Sequence, residues 1–213
     1  MAISVQSADR PGQHVLRAPG KAVMRFIYRH WARNYDKVIR KLGYRAPEFA
    51  ADALARHVDL SSGPVLDMAC GTGLSGLALK ALGANRIDGM DISTEMMQQA
   101  RKKGIYSRFI VADASVPLPI EDGAYIAALY TGLFTNGHVG AIALEPILSA
   151  VRPGGCFSFS VHSSVWKRLG FKDTIERLER EGRVDVLENT PMKHMEGLAG
   201  QTTIVVVLRR SAS

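Results

Sequence analysis

Val65-Leu66-Asp67-Met68-Ala69-Cys70-Gly71-Thr72-Gly73 is the stretch that decides how this chain is read. A short apolar run delivers a carboxylate, Asp67, and then gives way to small residues that let the backbone turn sharply and approach a ligand. The periodicity of residues 74–82 predicts a helix whose unpaired N–H groups face the same turn. Strand, glycine turn and helix in that order open a βαβ unit, and ligands of open α/β sheets bind beyond the carboxyl ends of the strands. The helix N-terminus favours an anion, whereas Asp67 favours a cation beside it. A ligand carrying carboxylate and ammonium satisfies both. An amino-acid head group does this, and a pyrophosphate does not.

Outward from this stretch, short apolar runs alternate with helical patterns, which argues for a parallel sheet. Strands are expected at 65–68, 87–91, 108–112, 125–130, 156–161, 184–187 and 203–208. Helices fit 74–82, 94–103, 141–151 and 174–181, with Ser93 as an N-cap and Gly104 closing the second of these. Pro153-Gly154-Gly155 is expected to turn the chain before the fifth strand. The last run has no helix before it, so it must lie antiparallel. The expected fold is α/β: a Rossmann-like, seven-stranded, mostly parallel sheet with helices on both faces and an antiparallel last strand.

The 213 residues are 46% hydrophobic and 22% charged, the composition of a globular chain with a sizeable core. Two cysteines, Cys70 and Cys156, supply neither a disulfide framework nor a cysteine-rich zinc site; no metal is expected, and a reducing, cytoplasmic setting fits them. The longest apolar stretch, 125–134, is about half of a bilayer span, and residues 1–20 lack the apolar run of a leader, so no membrane span is expected.

Charge is unevenly placed. Residues 1–45 carry +8, while the whole chain carries +7. Lys21, Arg25, Arg29, Arg33 and Lys37 recur every fourth residue and form a stripe along an amphipathic helix. Two readings stay open: a solvated face, or a contact for nucleic acid or another acidic partner. A flexible start over 1–20, one or two helices over 21–43 and another from Pro47 to His57 are expected, leaving a single domain over 21–213 whose basic helical cover is 21–57.

Two further carboxylates sit at strand ends. Asp91, eighteen residues after Gly73, can accept both hydroxyls of a ribose, with Ile92 and Met96 or Met97 placed to pack on a planar base. At the third strand's end, Asp113 and the backbone of Ala114 can read an adenine edge. Asp67, Asp91 and Asp113 thus line one crevice.

These motifs resemble the class I S-adenosylmethionine-dependent methyltransferases: residues 65–73 match their motif I, and Asp91, Asp113-Ala114 and 151–155 fall where the family keeps its later motifs. Trp31-Ala32, Tyr35-Asp36, Tyr44-Arg45-Ala46-Pro47 and Gly89-Met90-Asp91 further resemble a subgroup of small methyltransferase-like proteins. The resemblance implies S-adenosylmethionine as cofactor. It implies that Gly71 and Gly73 pass the methionine part over a floor of Ala69 and Cys70, and that Asp67 orients its amino group. Asp91 would hold the ribose, Ile92 would lie against the adenine, and Asp113 with Ala114 would read its edge. Tyr130 would face the transfer site and Tyr35 would close over the cofactor. The chain departs from the family at Gly123-Ala124-Tyr125, where many members place an aromatic followed by Asp.

Methyl transfer needs positioning first, and a general base only for a protonated acceptor. His138 and His162, in loops after strands four and five, are the candidate bases, although such loop histidines are more often surface residues. Cys70 lacks an adjacent base and reads as a wall residue rather than a nucleophile. The short span between strands five and seven suits a small-molecule acceptor. Two other readings compete. Gly71-Thr72-Gly73-Leu74-Ser75-Gly76 also spells the dinucleotide fingerprint of an NAD(P)-dependent oxidoreductase, but Asp67 would repel a pyrophosphate. A non-catalytic S-adenosylmethionine-binding protein acting through partner contacts is the other, since no decisive acceptor motif follows strand four.

Overall fold

The computed structural model describes residues 35–134, 140–193 and 202–212. The expected helices before Tyr35, with most of the basic stripe, lie outside these residues, as does His138. Two helices open the described chain, α1 (Tyr35–Lys41) and α2 (Ala46–Ala55). Then follow β1 (Pro64–Met68), α3 (Leu74–Ala81), β2 (Arg86–Asp91), α4 (Thr94–Arg101), β3 (Arg108–Val111) and β4 (Tyr125–Phe134). The chain continues through α5 (Leu144–Ala150), β5 (Val151–His162), α6 (Phe171–Arg180), β6 (Val184–Lys193) and β7 (Thr202–Arg210).

The strands form one sheet in the order β3-β2-β1-β4-β5-β7-β6. β1 pairs in parallel with both β2 and β4, so chain order reverses there and a crevice opens at the carboxyl ends of these strands. β7 runs antiparallel to β5 on one side and to β6 on the other, as the sequence required.

Alternation along the strands gives each face its own core. Leu66, Met68, Met90, Tyr130, Phe157, Phe159, Val206 and Leu208 point to the face covered by α5 and α6, through Leu144, Ile147, Phe171 and Leu178. Val65, Ile87, Ala127, Leu129, Val205 and Val207 point to the other, where Ala50, Leu54 and Leu79 bring in α2 and α3. Strands buried on both faces read as continuous apolar runs, which is why the central ones were legible. α2 is also pinned by Ser158, whose hydroxyl donates to the Ala50 carbonyl at 2.8 Å.

Several boundaries differ from the sequence expectation. Ser93 does cap α4, accepting from the Met96 N–H, and Gly104 follows it with φ +65°. Pro153-Gly154-Gly155, expected to precede the fifth strand, lies inside it: β4 advances from Tyr125 to Ala127 while β5 advances from Val151 to Cys156. The segment is a bulge. β6 runs past Leu187 through Pro191 because it is an edge strand, where a missing N–H is tolerated. Residues 141–143 form a 3-10 turn, so the helix begins at Leu144 and ends at Ala150.

Tyr125, at the start of β4, ties that strand to β2 and β3. The Tyr125 hydroxyl donates to the buried Asp88 carboxylate at 2.9 Å, and Arg108 donates to both, at 2.7 Å to Asp88 and 2.9 Å to Tyr125.

A Cβ added at Gly155 would sit 2.5 Å from the Ile126 carbonyl oxygen and 2.7 Å from Val151 Cγ1. Gly155→Ala should therefore cost about 2–4 kcal/mol, measured by urea denaturation; an unchanged midpoint would show that the bulge relaxes freely.

Candidate cofactor site

The glycine turn is built by backbone geometry. Ala69 takes φ +55°, rare for a side-chain-bearing residue, and Gly71 and Gly73 take +52° and +92°. The Cys70 N–H donates to the Met90 carbonyl at 2.9 Å and Gly73 N–H to the Cys70 carbonyl at 2.7 Å, which stitches the turn to β2. Burial, with Asp67 and Asp91 close by, pushes the Cys70 thiol well up, so it stays protonated and forms wall.

Asp67 is fully buried at the end of β1. Its Oδ2 accepts from Ser75 Oγ at 2.8 Å and from the Tyr106 hydroxyl at 2.5 Å. Its Oδ1, equally buried, has no partner among the described residues. No cation among them pairs with it either, and burial lifts its pKa to about 7 against the pull of these hydrogen bonds. The site offers a cation a carboxylate oxygen with nothing attached.

Asp91, at the end of β2, is turned toward the same loop. Its Oδ2 accepts from the Gly71 N–H and its Oδ1 from the Ser93 N–H, both at 2.8 Å, and burial raises its pKa. Next to it Ile92 is 41% exposed, an apolar surface left open at the crevice. Met96 is buried behind the turn, its Cε 3.7 Å from where a Gly71 Cβ would lie. Asp113 caps its own loop, its Oδ1 accepting from Ser115 N–H and Oγ at 2.8 and 2.6 Å, with Ala114 buried beside it. Tyr130 is buried beneath, close enough to Asp91 and Asp113 that both charges push its phenol up, after burial itself.

Tyr35 and Tyr44, from α1 and the turn after it, close the other side. The Tyr35 phenol is pushed up to about 12 by burial, then by Asp36 and Asp91. Tyr44 lies against Tyr35 and bonds Ser160 of β5, and its hydroxyl is 3.5 Å from where a Gly132 Cβ would be. The cover is latched to the glycine turn through Asp36. Thr72 Oγ1 donates to Asp36 Oδ1 at 2.5 Å, and Lys103 Nζ donates to Asp36 Oδ2 at 2.7 Å and to the Thr72 carbonyl at 2.6 Å.

His162 stands at the end of β5, where its Nδ1 accepts the Ser164 backbone N–H at 3.2 Å. The same Nδ1 lies 2.7 Å from Ser164 Oγ, so both groups of Ser164 hold the ring in place. Among the described residues, no cluster of three or more His, Cys, Asp or Glu could hold a metal, and no helix is long and apolar enough to cross a membrane.

The structure thus brings Tyr35, Asp67, Ala69, Cys70, Gly71, Gly73, Asp91, Ile92, Asp113, Ala114 and Tyr130 around one crevice, with Met96 behind it. It adds Tyr44, Ser75, Lys103 and Tyr106. Tyr44 and Ser75 lie in motifs noted above without a role of their own, Lys103 and Tyr106 in none, and only tertiary contacts reveal what the four do.

A methyltransferase-domain family profile matches residues 65–155. Methyltransferase-like protein 27 of Homo sapiens is 34% identical over 186 residues, covering 83% of this chain and 74% of that protein. The chain belongs to the class I S-adenosylmethionine-dependent methyltransferases, and S-adenosylmethionine is its cofactor. Trans-aconitate 2-methyltransferase of Sinorhizobium fredii is 34% identical over 107 residues, covering 50% of this chain but only 41% of that enzyme. Among solved structures, the [4+2]-cyclase SpnF superposes with a TM-score of 0.68 at 18% identity, over 93% of this chain and 99% of that one. An S-adenosylmethionine-dependent methyltransferase from Mesorhizobium loti does so at 0.56 and 20%, over 75% and 96%. At such identities these structures speak for the fold alone.

Because Asp67 holds its proton to about pH 7 when folded but only to about 4 when unfolded, the unfolded chain binds fewer protons between those values. Its effect is a loss of stability as pH rises from 4 to 7, on the order of 3–4 kcal/mol. Asp67→Asn should therefore melt higher than wild type at pH 8 and alike near pH 4, which denaturation at the two pH values checks.

Proposed function

We propose that this chain methylates a small-molecule acceptor, with Asp67 receiving the cofactor's α-ammonium and Asp91 its ribose hydroxyls. Ile92 covers the adenine, Asp113 with Ala114 reads its edge, and α1 with Tyr35 closes over it. One observation carries the reading: a buried carboxylate, without a cation among the described residues, presents an unpartnered oxygen beside a glycine turn. A buried charge of that kind is costly unless a ligand completes it. An ammonium completes it and a diphosphate does not.

When bound, the cofactor supplies a methyl group already activated on a sulfonium. The chain's part is to align the acceptor and keep water out. The acceptor's place lies by the ends of β4 and β5, walled by Thr131, Gly132, Ser160 and Tyr44. Two supports favour a small acid there: relatives named as trans-aconitate 2-methyltransferases, and the +8 charge of residues 1–45.

Calorimetry should show binding of S-adenosylmethionine and its demethylated product but not of reduced nicotinamide dinucleotide. Asp91→Ala should weaken cofactor binding by about 10–100-fold. Incubation with labelled donor and a metabolite extract should then label a small acid. Binding without any labelled product would instead favour a cofactor-binding protein with no turnover.

Protease protection of residues 35–45 on adding cofactor tests the cover. Asp36→Ala, which removes the acceptor of both latch bonds, should abolish that protection while leaving the melting temperature within a few degrees. Equal cleavage with and without cofactor in the wild type would remove the cover from the reading.

A further inference from the structure

Tyr106 lies between α4 and β3 in none of the cofactor motifs, yet three glycines make room for it. A Cβ at Gly73 would stand 3.1 Å from its ring, one at Gly89 3.0 Å, and one at Gly76 would collide with its hydroxyl. Gly73 needs glycine for its φ of +92° as well, but Gly76 is inside a helix and Gly89 inside a strand, and neither has a positive φ. Glycine in such interiors costs about 0.5–1 kcal/mol relative to alanine. Tyr106 crowds both, with Cys70 Sγ at 3.1 Å adding to it at Gly89 and Ile105 at 3.0 Å at Gly76. Gly76 is also the third glycine of the pattern that spells a dinucleotide fingerprint, so that spelling here reflects a tyrosine passing under the loop.

The ring is fixed from its other side by Phe109, with centroids 4.9 Å apart. Its hydroxyl ends on Asp67 Oδ2 at 2.5 Å, the oxygen that also accepts from Ser75, so both side-chain donors converge on one oxygen and the other is left open. Resting on the cofactor reading above, we infer that Tyr106 is a positioning residue: it holds the Asp67 carboxylate by Oδ2, so that Oδ1 is presented to the α-ammonium of the cofactor.

The groups facing Asp67 are few. Tyr106 stands on the segment before β3, Asp91 at the end of β2, Cys70 in its own loop, and Ser75 and the Gly76 N–H on α3. Asp91 disfavours the Asp67 anion, and Tyr106, Ser75 and Gly76 favour it. An ammonium ligand binds the anion, so affinity for it rises with pH until Asp67 has lost its proton, then levels off. Removing a donor from the anion raises its pKa and moves that rise to higher pH.

The test is Tyr106→Phe, which keeps the ring and deletes only the hydroxyl. The probe is S-adenosylhomocysteine, titrated from pH 5.5 to 8.5, with 5′-methylthioadenosine, which lacks the ammonium, as the companion ligand. Y106F should lose about 5–20-fold in affinity for S-adenosylhomocysteine at pH 7, with its pH midpoint moved up by about one unit. Methylthioadenosine should bind both proteins alike and without that pH dependence. Wild-type affinity together with an unmoved midpoint in Y106F would overturn the role of Tyr106 and leave the cofactor reading standing. Wild type that binds no S-adenosylhomocysteine at any pH would remove the cofactor reading itself. Should Y106F lose its cooperative melt, Ser75→Ala deletes the other side-chain donor on Oδ2. A raised midpoint there supports the inference, and an unmoved one overturns it.

Discussion

Everything in the crevice is arranged around a carboxylate kept out of water. Asp67 sits at the end of the strand where chain order reverses, with neutral donors on one oxygen and, among the described residues, nothing on the other. An isolated buried charge is among the costliest features a fold can carry, and here it shows as a carboxyl whose proton is held to about pH 7. Such a group is one that a cationic ligand would stabilise on binding. The glycine spacing by itself also admits a diphosphate, which has no positive charge to offer this carboxylate.

The neighbouring elements serve that carboxylate in different ways. The sheet supplies position, since β1 is flanked in parallel by β2 and β4, and the ends of β1 and β2 deliver Asp67 and Asp91 to one opening. The turn supplies shape, with Ala69 in a left-handed conformation and the Cys70 N–H anchored on Met90. α1 supplies a roof, drawn down by Asp36 onto Thr72 and Lys103. The fold itself is shared with a cyclase, so activity belongs to the site and not to the sheet.

Legibility followed burial. Strands β1, β2 and β4 are covered on both faces and legible from their apolar runs, whereas β6, an edge strand with exposed Asn189, Thr190 and Pro191, reads as ending at Leu187. The bulge at 153–155 was mistaken for a turn because Pro-Gly-Gly has the composition of both, and only pairing with Tyr125 and Ala127 tells them apart. Asp67, Asp91 and Asp113 could be seen because each ends a strand, a place with a chemical meaning. His162 stands out by its place after strand five, whereas its contacts with the Ser164 hydroxyl and N–H are ones no sequence pattern announces.

By itself the sequence determined the order of strands and helices, the antiparallel last strand and the three acidic strand ends, because periodicity and loop length act over neighbouring residues. Tertiary structure alone decided what the glycines are for. Gly76 and Gly89 lie in different elements, and both are crowded by Tyr106, which reaches them only when the segment before β3 folds back beneath the loop. It also decided which oxygen of Asp67 stays open and that Asp36 meets Thr72 and Lys103. Those contacts join residues dozens of positions apart, and steric exclusion and hydrogen-bond direction between such residues leave no period to read.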